Sequence, residues 1–104
     1  MLQLTTANFV KTIATGITVV DFMTVSCRPC KPVGILMERL SMLYPQVKFA
    51  VVDCEHESGL AERNGVNNVP TLFFFNTGKC VEALHGSHCS QVERVKAVLA
   101  KLGV

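Results

Sequence analysis

Two cysteines separated by two residues, Cys27 and Cys30, are the residues in this sequence whose spacing points most directly to chemistry. They follow an apolar stretch and precede a stretch with helical periodicity, which places them in the first turn of a helix. Residues three apart on a helix lie about 5–6 Å from each other, within the range that a disulfide spans. The positive end of the helix favours the thiolate of Cys27, the form that attacks a disulfide. We therefore expect Cys27 to attack and Cys30, which lies further inside, to resolve the mixed disulfide.

A metal site is an alternative interpretation of this cysteine pair. Zinc sites usually contain a second close pair of ligands, and Pro29 fits the start of a helix better than a metal-binding turn. The remaining cysteines are single and scattered, at Cys54, Cys80 and Cys89. His85 and His88 lie near Cys89, so binding of zinc or an iron–sulfur cluster through the pair and this cluster stays open. Our expectation is a redox pair with no bound metal and no cofactor.

An aspartate interrupts the apolar strand that precedes the cysteine pair. Asp21 lies six residues before Cys27 among side chains that are otherwise apolar. A carboxyl buried there would have a raised pKa and would accept the proton of Cys30. The alternative is an aspartate at a strand end that faces water, and the neighbouring cysteine pair favours the buried proton acceptor.

A proline precedes the next long apolar strand, at Pro70 in Val69-Pro70-Thr71. It either simply starts the strand or is a cis proline whose neighbouring backbone docks substrate chains beside Cys27. The sequence leaves the isomer of the Val69–Pro70 bond open.

The composition fits one folded domain that spans residues 1–104. The chain is 49% hydrophobic and 17% charged, which is enough apolar material for one core. Its net charge is +2 without a basic block, so neither nucleic acid nor a membrane is an expected partner. The first residues lack the charged and apolar regions of a signal peptide, which favours a cytoplasmic protein. Removal of an organellar leader from a longer precursor stays open.

Hydrophobic periodicity predicts the element order βαβαβαββα. Strands are expected at residues 2–4, 17–23, 47–52, 70–75 and 79–85. Helices are expected after Thr6, from the cysteine pair to Tyr44, at residues 58–64, and after a capping box of Ser90 and Glu93. The buried faces of these helices would include Val10, Leu43 and Val92. The alternating first part predicts parallel strands, and the short turn before the last strand predicts an antiparallel hairpin.

Together these features resemble the thioredoxin family, over about residues 19–86 by motif and nearly the whole chain by element order. Three segments carry the resemblance: Val20-Asp21-Phe22 is similar to the strand with the buried aspartate, Cys27-Arg28-Pro29-Cys30-Lys31 to the redox motif, and Val69-Pro70-Thr71 to the cis-proline segment. Gly78 and Gly86 lie where the family has glycines. The resemblance implies a single α/β domain with the thioredoxin fold, a central mixed sheet of about five strands flanked by helices on both faces.

The resemblance also implies the roles of individual residues. Cys27 would be the nucleophile and Cys30 the resolving thiol of a redox-active disulfide, and Asp21 would be the catalytic acid and base. The residues of the substrate-binding groove would be Ser26, Arg28, Pro29, Cys54, Asn68, Val69, Pro70, His85 and Gly86. The implied activity is reduction of protein disulfides, with a thioredoxin reductase or an equivalent electron donor as partner.

The sequence departs from the family pattern around this site. Ser26 replaces the usual tryptophan before the first cysteine, and Arg28 replaces the usual glycine after it. Ile35 stands where a proline usually kinks the helix. Val51 stands where an acidic or basic residue often lies near the buried aspartate. These changes remove a large apolar contact surface and leave the aspartate in a drier setting.

These departures keep a second function open. The leading expectation is a general disulfide reductase that acts as a monomer. The alternative is a docking or adaptor module of a redox pathway with weak catalysis, which Ser26 and Arg28 favour. The complete cysteine pair and Asp21 favour retained catalysis.

One unpaired cysteine is expected near the site. The resemblance places Cys54, like His85, in the groove where typical members often carry aliphatic residues. Most unpaired cysteines are inert; the alternative is a third redox thiol that links two molecules into a dimer under oxidant and blocks the groove. Arg28 and the nearby helix N-terminus would then lower the pKa of Cys54. No role is assigned to Cys80 or Cys89.

Overall fold

The computed structural model describes all 104 residues of the chain. Five strands are present: β1 (Leu2–Gln3), β2 (Ile17–Met23), β3 (Lys48–Asp53), β4 (Thr71–Asn76) and β5 (Lys79–His85). Four α-helices accompany them: α1 (Phe9–Ile13), α2 (Cys30–Leu43), α3 (Ser58–Arg63) and α4 (Val92–Lys101). The predicted element order is confirmed, with one addition, a 3₁₀ helix at Gly86–Ser90. None of the helices has the length and apolar character needed to cross a membrane.

The five strands form one mixed sheet in the order β1-β3-β2-β4-β5. β1, β3 and β2 are parallel, as the alternating pattern predicts, and β4 and β5 form the expected antiparallel hairpin. The prediction that the strand after α3 is parallel to the others is wrong, because β4 runs antiparallel to β2. A helix of six residues is only about 9 Å long, too short to return the chain along a strand of about 20 Å. β4 therefore begins at the sheet edge where β2 and β3 end.

Side chains of the central strands pack against helices on both faces of the sheet. Val19 in β2 lies in one apolar cluster with Val33 of α2 and Leu99 of α4. Val20 lies in the opposite cluster, which includes Leu60 of α3 and residues of α1. Successive residues of a strand face opposite sides, so β2 contributes to both cores. The predicted architecture, a sheet flanked by helices on both faces, is confirmed.

Three apolar side chains expected on buried helix faces are exposed instead. Val10 in α1, Leu43 in α2 and Val92 in α4 expose 74%, 65% and 38% of their surface. α1 has only five residues, and the pair four apart, Phe9 and Ile13, is the part that faces the core. Leu43 and Val92 are end residues of their helices, beyond the packed middle.

Two predicted helix caps do not form. Ser90 lies in the 3₁₀ helix, where its hydroxyl donates to a carbonyl of the same helix at 3.1 Å, so the capping box with Glu93 is absent. The hydroxyl of Thr6 donates to Oε1 of Glu57 at 3.1 Å, and α1 begins after Asn8. The hydroxyl of Thr6 bonds to a residue distant in the sequence, and that of Ser90 bonds within the 3₁₀ helix. Neither hydroxyl is therefore available for the helix cap that the sequence predicts.

Candidate active site

The cysteine pair lies in the loop and the first helical turn that follow β2. β2 ends at Met23 and α2 begins at Cys30, so the prediction that both cysteines lie in the first helical turn is wrong for Cys27, which precedes the helix. Cys27 is half-buried in the loop, whereas only 4% of Cys30 is exposed. The two Cα atoms are 5.3 Å apart and the sulfurs are joined in a disulfide, so the predicted close approach is confirmed.

Hydrogen bonds hold the loop against the start of α2. The N–H of Cys30 donates to Sγ of Cys27 at 3.2 Å, and the N–H of Lys31 donates to the carbonyl of Arg28 at 3.1 Å. The ammonium of Lys31 donates to the carbonyl of Val25 at 3.1 Å. An amide that donates to Sγ of Cys27 stabilises negative charge on that sulfur when the pair is reduced.

Asp21 lies in the interior of β2, before the loop that carries the cysteines. Only 1% of its surface is exposed, and its Oδ1 atom has no hydrogen-bond partner in the protein. Burial raises the pKa of Asp21 from 3.8 to about 7. Its register neighbour in β3 is the apolar Val51, so no charged side chain compensates it there. Asp21 is thus a buried carboxyl and not a strand end that faces water, and near neutral pH it can take up or release a proton.

A cavity of about 400 Å³ lies beside this carboxyl and the cysteine pair. Asp21, Cys27 and Cys30 line it, together with apolar side chains that include Ile35 and Val51. A space of this size with polar groups in its wall has room for water. The cavity therefore offers a path on which a proton can pass between the carboxyl and the cysteine pair.

The second wall of the site is the segment before β4. The Val69–Pro70 peptide bond, whose isomer the sequence leaves open, is cis. The hydroxyl of Thr71 donates to the carbonyl of Asn68 at 2.9 Å, and the N–H of Gly86 donates to the carbonyl of Pro70 at 3.0 Å. These bonds join the segment before β4 to the end of β5.

His85, the last residue of β5, has a defined ring orientation. Its Nδ1 atom lies 3.3 Å from Oγ1 of Thr71. The hydroxyl of Thr71 therefore contacts both the carbonyl of Asn68 and the ring of the exposed His85.

A second cavity, of about 380 Å³, lies beside Val69. Cys54 and Asn68 also line it. Cys54 is half-buried, and burial together with the negative charge of Asp53 raises the pKa of its thiol. The expectation that Arg28 and the helix N-terminus lower this pKa is wrong, because loss of solvent and a neighbouring carboxylate both disfavour the thiolate.

The residues of the metal hypothesis do not converge. Cys89 is buried, whereas His85 and His88 are exposed. No three His, Cys, Asp or Glu side chains lie where they could hold a metal ion together. The hypothesis of a zinc or iron–sulfur site at Cys27 and Cys30 therefore has no donor set.

The predicted groove residues lie at one edge of the sheet, on loops and at the end of β5, and two further residues of this region were not anticipated. Thr71 links Asn68 to His85, and its place directly after the proline was the available signal. Cys89 lies under the same wall, and no pattern in the sequence marks a buried cysteine as a hydrogen-bond donor. The residues next to Cys27 that are exposed include Ser26, Arg28 and Pro29.

The two bonded cysteines at this edge of the sheet differ in exposure, since Cys27 is half-buried and Cys30 is buried. A sulfur that another molecule can reach, in a disulfide with a buried sulfur, can exchange with the disulfides of other molecules. The fold and the site together define a thiol–disulfide oxidoreductase.

Comparisons with known proteins place the chain within this class. The family model described as thioredoxin matches residues 1–101, and the chain belongs to the thioredoxin family. Thioredoxin-1 of Saccharomyces cerevisiae is 34% identical over 82 residues, which cover 79% of this chain and 80% of that protein. The thioredoxin of Chlamydia muridarum is 39% identical over 75 residues, 72% of this chain and 74% of that protein. The structure of Plasmodium falciparum thioredoxin matches with a TM-score of 0.87 at 26% identity, over 97% of this chain and 98% of that chain.

The family and the fold expected from the sequence are therefore confirmed. The chain is a protein-disulfide reductase whose redox-active disulfide joins Cys27 and Cys30.

Proposed function

We propose that Cys27 attacks disulfides of other proteins and that Cys30 completes the exchange, with Asp21 as the acid and base. The difference in exposure between the two cysteines carries this assignment, because Cys27 is half-buried at the surface and Cys30 is 4% exposed. A substrate sulfur can reach Cys27, whereas Cys30 can react with the sulfur of Cys27. In one turnover the substrate disulfide is reduced to two thiols and the cysteine pair is oxidised to its disulfide.

The first step forms a mixed disulfide. The thiolate of Cys27 attacks one sulfur of the substrate disulfide, and the other substrate sulfur leaves as a thiolate that takes up a proton. The N–H of Cys30, 3.2 Å from Sγ of Cys27, supports the attacking thiolate. The N-terminal end of α2 adds partial positive charge.

The second step releases the substrate. Cys30 gives its proton to the carboxylate of Asp21 and attacks Sγ of Cys27, which breaks the mixed disulfide. The released substrate thiolate is protonated, and Cys27 and Cys30 end as a disulfide. With a pKa of about 7, a substantial fraction of Asp21 is ionised at neutral pH, and the cavity of about 400 Å³ supplies the path for the proton.

The substrate groove in this proposal lies beside Cys27. Its members are Ser26, Arg28, Pro29, Cys54, Asn68, Val69, Pro70, His85 and Gly86. The guanidinium of Arg28, the imidazole of His85 and the amide of Asn68 give this groove polar groups. Substrate segments with polar or acidic residues next to the disulfide match these groups by hydrogen bonding and charge.

A partner must reduce the oxidised pair before the next turnover. We assign this step to a thioredoxin reductase or an equivalent electron donor, as is general for the family. In this proposal the protein acts as a cytoplasmic monomer, and its net charge of +2 without a basic block gives nucleic acid and membranes no role.

Reduction of insulin disulfides, with a thioredoxin reductase as the source of electrons, tests this function. We expect turnover by the wild-type chain and none by Cys27→Ser. Dithiothreitol in place of the reductase separates a mismatched electron donor from an inactive site. A wild-type chain that reduces no insulin with either electron source would contradict the reductase and favour the docking module.

A further inference from the structure

One of the free cysteines, Cys89, is completely buried under the wall that Pro70 and the end of β5 form. None of its surface is exposed. Its Sγ atom lies 3.3 Å from the carbonyl oxygen of Leu84 and 3.6 Å from that of Pro70. The thiol therefore bridges a carbonyl just before β4 and a carbonyl near the end of β5.

The carbonyl of Pro70 has two donors within reach. The N–H of Gly86 donates to it at 3.0 Å, and the S–H of Cys89 is the second donor. A carbonyl oxygen has two lone pairs and can accept both bonds. Since a thiol has one proton, Cys89 divides it between the carbonyls of Leu84 and Pro70.

The thiol remains a donor under physiological conditions. Burial raises the pKa of Cys89 to about 11, so the group keeps its proton at neutral pH. A buried and protonated thiol is a poor nucleophile. Its contribution is therefore the link between the two carbonyls and not a redox reaction.

We propose that Cys89 is a positioning residue for substrate docking, which acts through the carbonyl of Pro70. By bridging Pro70 and Leu84 it keeps the Val69–Pro70 segment in a fixed relation to His85 and Gly86. This inference rests on the proposed function, in which both segments line the substrate groove. Loss of the link would let the two segments move apart and weaken substrate binding while the chemistry at Cys27 continues.

The variants Cys89→Ser and Cys89→Ala distinguish an effect of the hydrogen bonds of Cys89 from an effect of its volume. Serine and alanine are both smaller than cysteine, and only serine keeps a donor. If Cys89 merely fills volume, Cys89→Ser and Cys89→Ala should behave alike. If its proton positions Pro70, serine should restore what alanine loses.

The kinetic test measures kcat and KM for insulin reduction in both variants. We expect Cys89→Ala to raise KM about three- to tenfold, the effect of one net hydrogen bond, and to leave kcat within about twofold. Cys89→Ser should keep KM within about twofold of the wild-type value. Cys80→Ala, which removes the exposed thiol of β5, is the control for loss of a cysteine and should change neither constant.

Amide hydrogen exchange tests the link without reference to catalysis. The N–H of Gly86, which shares the carbonyl of Pro70, should exchange faster in Cys89→Ala and at the wild-type rate in Cys89→Ser. Equal KM and equal exchange for the two variants would overturn the proposal, as would faster exchange in Cys89→Ala with an unchanged KM. Absence of insulin turnover in the wild-type chain contradicts the proposed function instead, so the two failures are distinguishable.

Discussion

The backbone N–H of Cys30 donates to Sγ of Cys27 across 3.2 Å. The sulfur that a substrate can reach thus receives a hydrogen bond from the residue that carries the buried sulfur. A donor favours the thiolate of Cys27, whereas burial of Cys30 disfavours a thiolate there until a base takes the proton. The two thiols are therefore unequal, and removal of one should differ in its effect from removal of the other.

Replacing each cysteine by serine separates the two steps of exchange. We expect Cys27→Ser to abolish insulin reduction. Cys30→Ser should attack once and accumulate a mixed disulfide, because the resolving thiol is gone. Mass spectrometry of the non-reduced reaction mixture detects this adduct. Cys80→Ser, which changes only an exposed thiol in β5, should keep the wild-type rate, and substantial turnover by Cys27→Ser would show that the role of Cys27 is wrong.

Asp21→Asn tests the proposed proton acceptor through the pH dependence of turnover. Because the pKa of Asp21 is about 7, the carboxylate forms as the pH rises through neutrality. The ratio of the wild-type rate to the rate of Asp21→Asn should grow through this window and level off above it, reaching roughly tenfold. This factor is below the usual gain from general base catalysis, because water in the cavity can replace the carboxylate. Equal rates of the two proteins from about pH 6 to 9 would contradict the assignment.

The same carboxyl makes the stability of the fold depend on pH. Unfolding returns Asp21 to its ordinary pKa of 3.8, so between pH 3.8 and about 7 the folded state binds more protons than the unfolded state. The contribution of Asp21 to the free energy of unfolding therefore falls as the pH rises through this window and is constant above it. At about 1.36 kcal/mol per pKa unit, this loss is on the order of 4 kcal/mol.

Urea unfolding of the wild-type chain and of Asp21→Asn measures this effect directly. Relative to the wild type, Asp21→Asn should gain stability as the pH is raised from about 4 to 7, since asparagine does not ionise. A difference between the two free energies of unfolding that stays constant across these pH values would show that the pKa of Asp21 is not raised.

Arg28 should make the cysteine pair more oxidising. Its exposed positive charge lies in the loop between the two cysteines and favours the reduced form, in which Cys27 is a thiolate. Arg28→Gly should therefore make the reduction potential more negative. An exposed charge contact contributes about 0.2–1 kcal/mol, which corresponds to a shift on the order of 5–20 mV. Arg28→Lys keeps the charge and should keep the potential, and a shift of the opposite sign in Arg28→Gly would refute the electrostatic argument.

Cys54 is either an inert thiol, as most unpaired cysteines are, or a redox thiol that links two molecules under oxidant. The raised pKa of its thiol favours the inert interpretation. In the alternative, hydrogen peroxide would oxidise one Cys54 thiol in each of two chains to an intermolecular disulfide and be reduced to water. Because the pKa of Cys54 is raised by burial and by Asp53, the yield of dimer should increase as the pH is raised above neutrality. If Cys54 is the redox thiol, a non-reducing gel should show the dimer in the wild type and in Cys80→Ser, and not in Cys54→Ser. A dimer that persists in Cys54→Ser, or none in the wild type, leaves Cys54 without a regulatory role.

Local patterns in the sequence were sufficient for most elements of the fold. β2 and β5 have their predicted bounds, because glycines in turns, Gly16 and Gly78, mark where each strand begins. The direction of β4 was not predictable in this way, since it depends on the length of α3 relative to the sheet. The predicted cap at Ser90 is absent for a similar reason, because Ser90 belongs to a 3₁₀ helix that the sequence pattern did not indicate.

The sequence by itself determined the reactive pair of this protein. The separation of Cys27 and Cys30 depends on a few dihedral angles of the turn that leads into α2, because only two residues lie between them. Only the tertiary structure decided that Asp21 is without a partner and that Cys89 bonds to the carbonyl of Pro70. These properties belong to surroundings that strands far apart in the sequence create when they meet at one edge of the sheet. A pKa or a buried hydrogen bond is set by such surroundings and not by the residue that carries it.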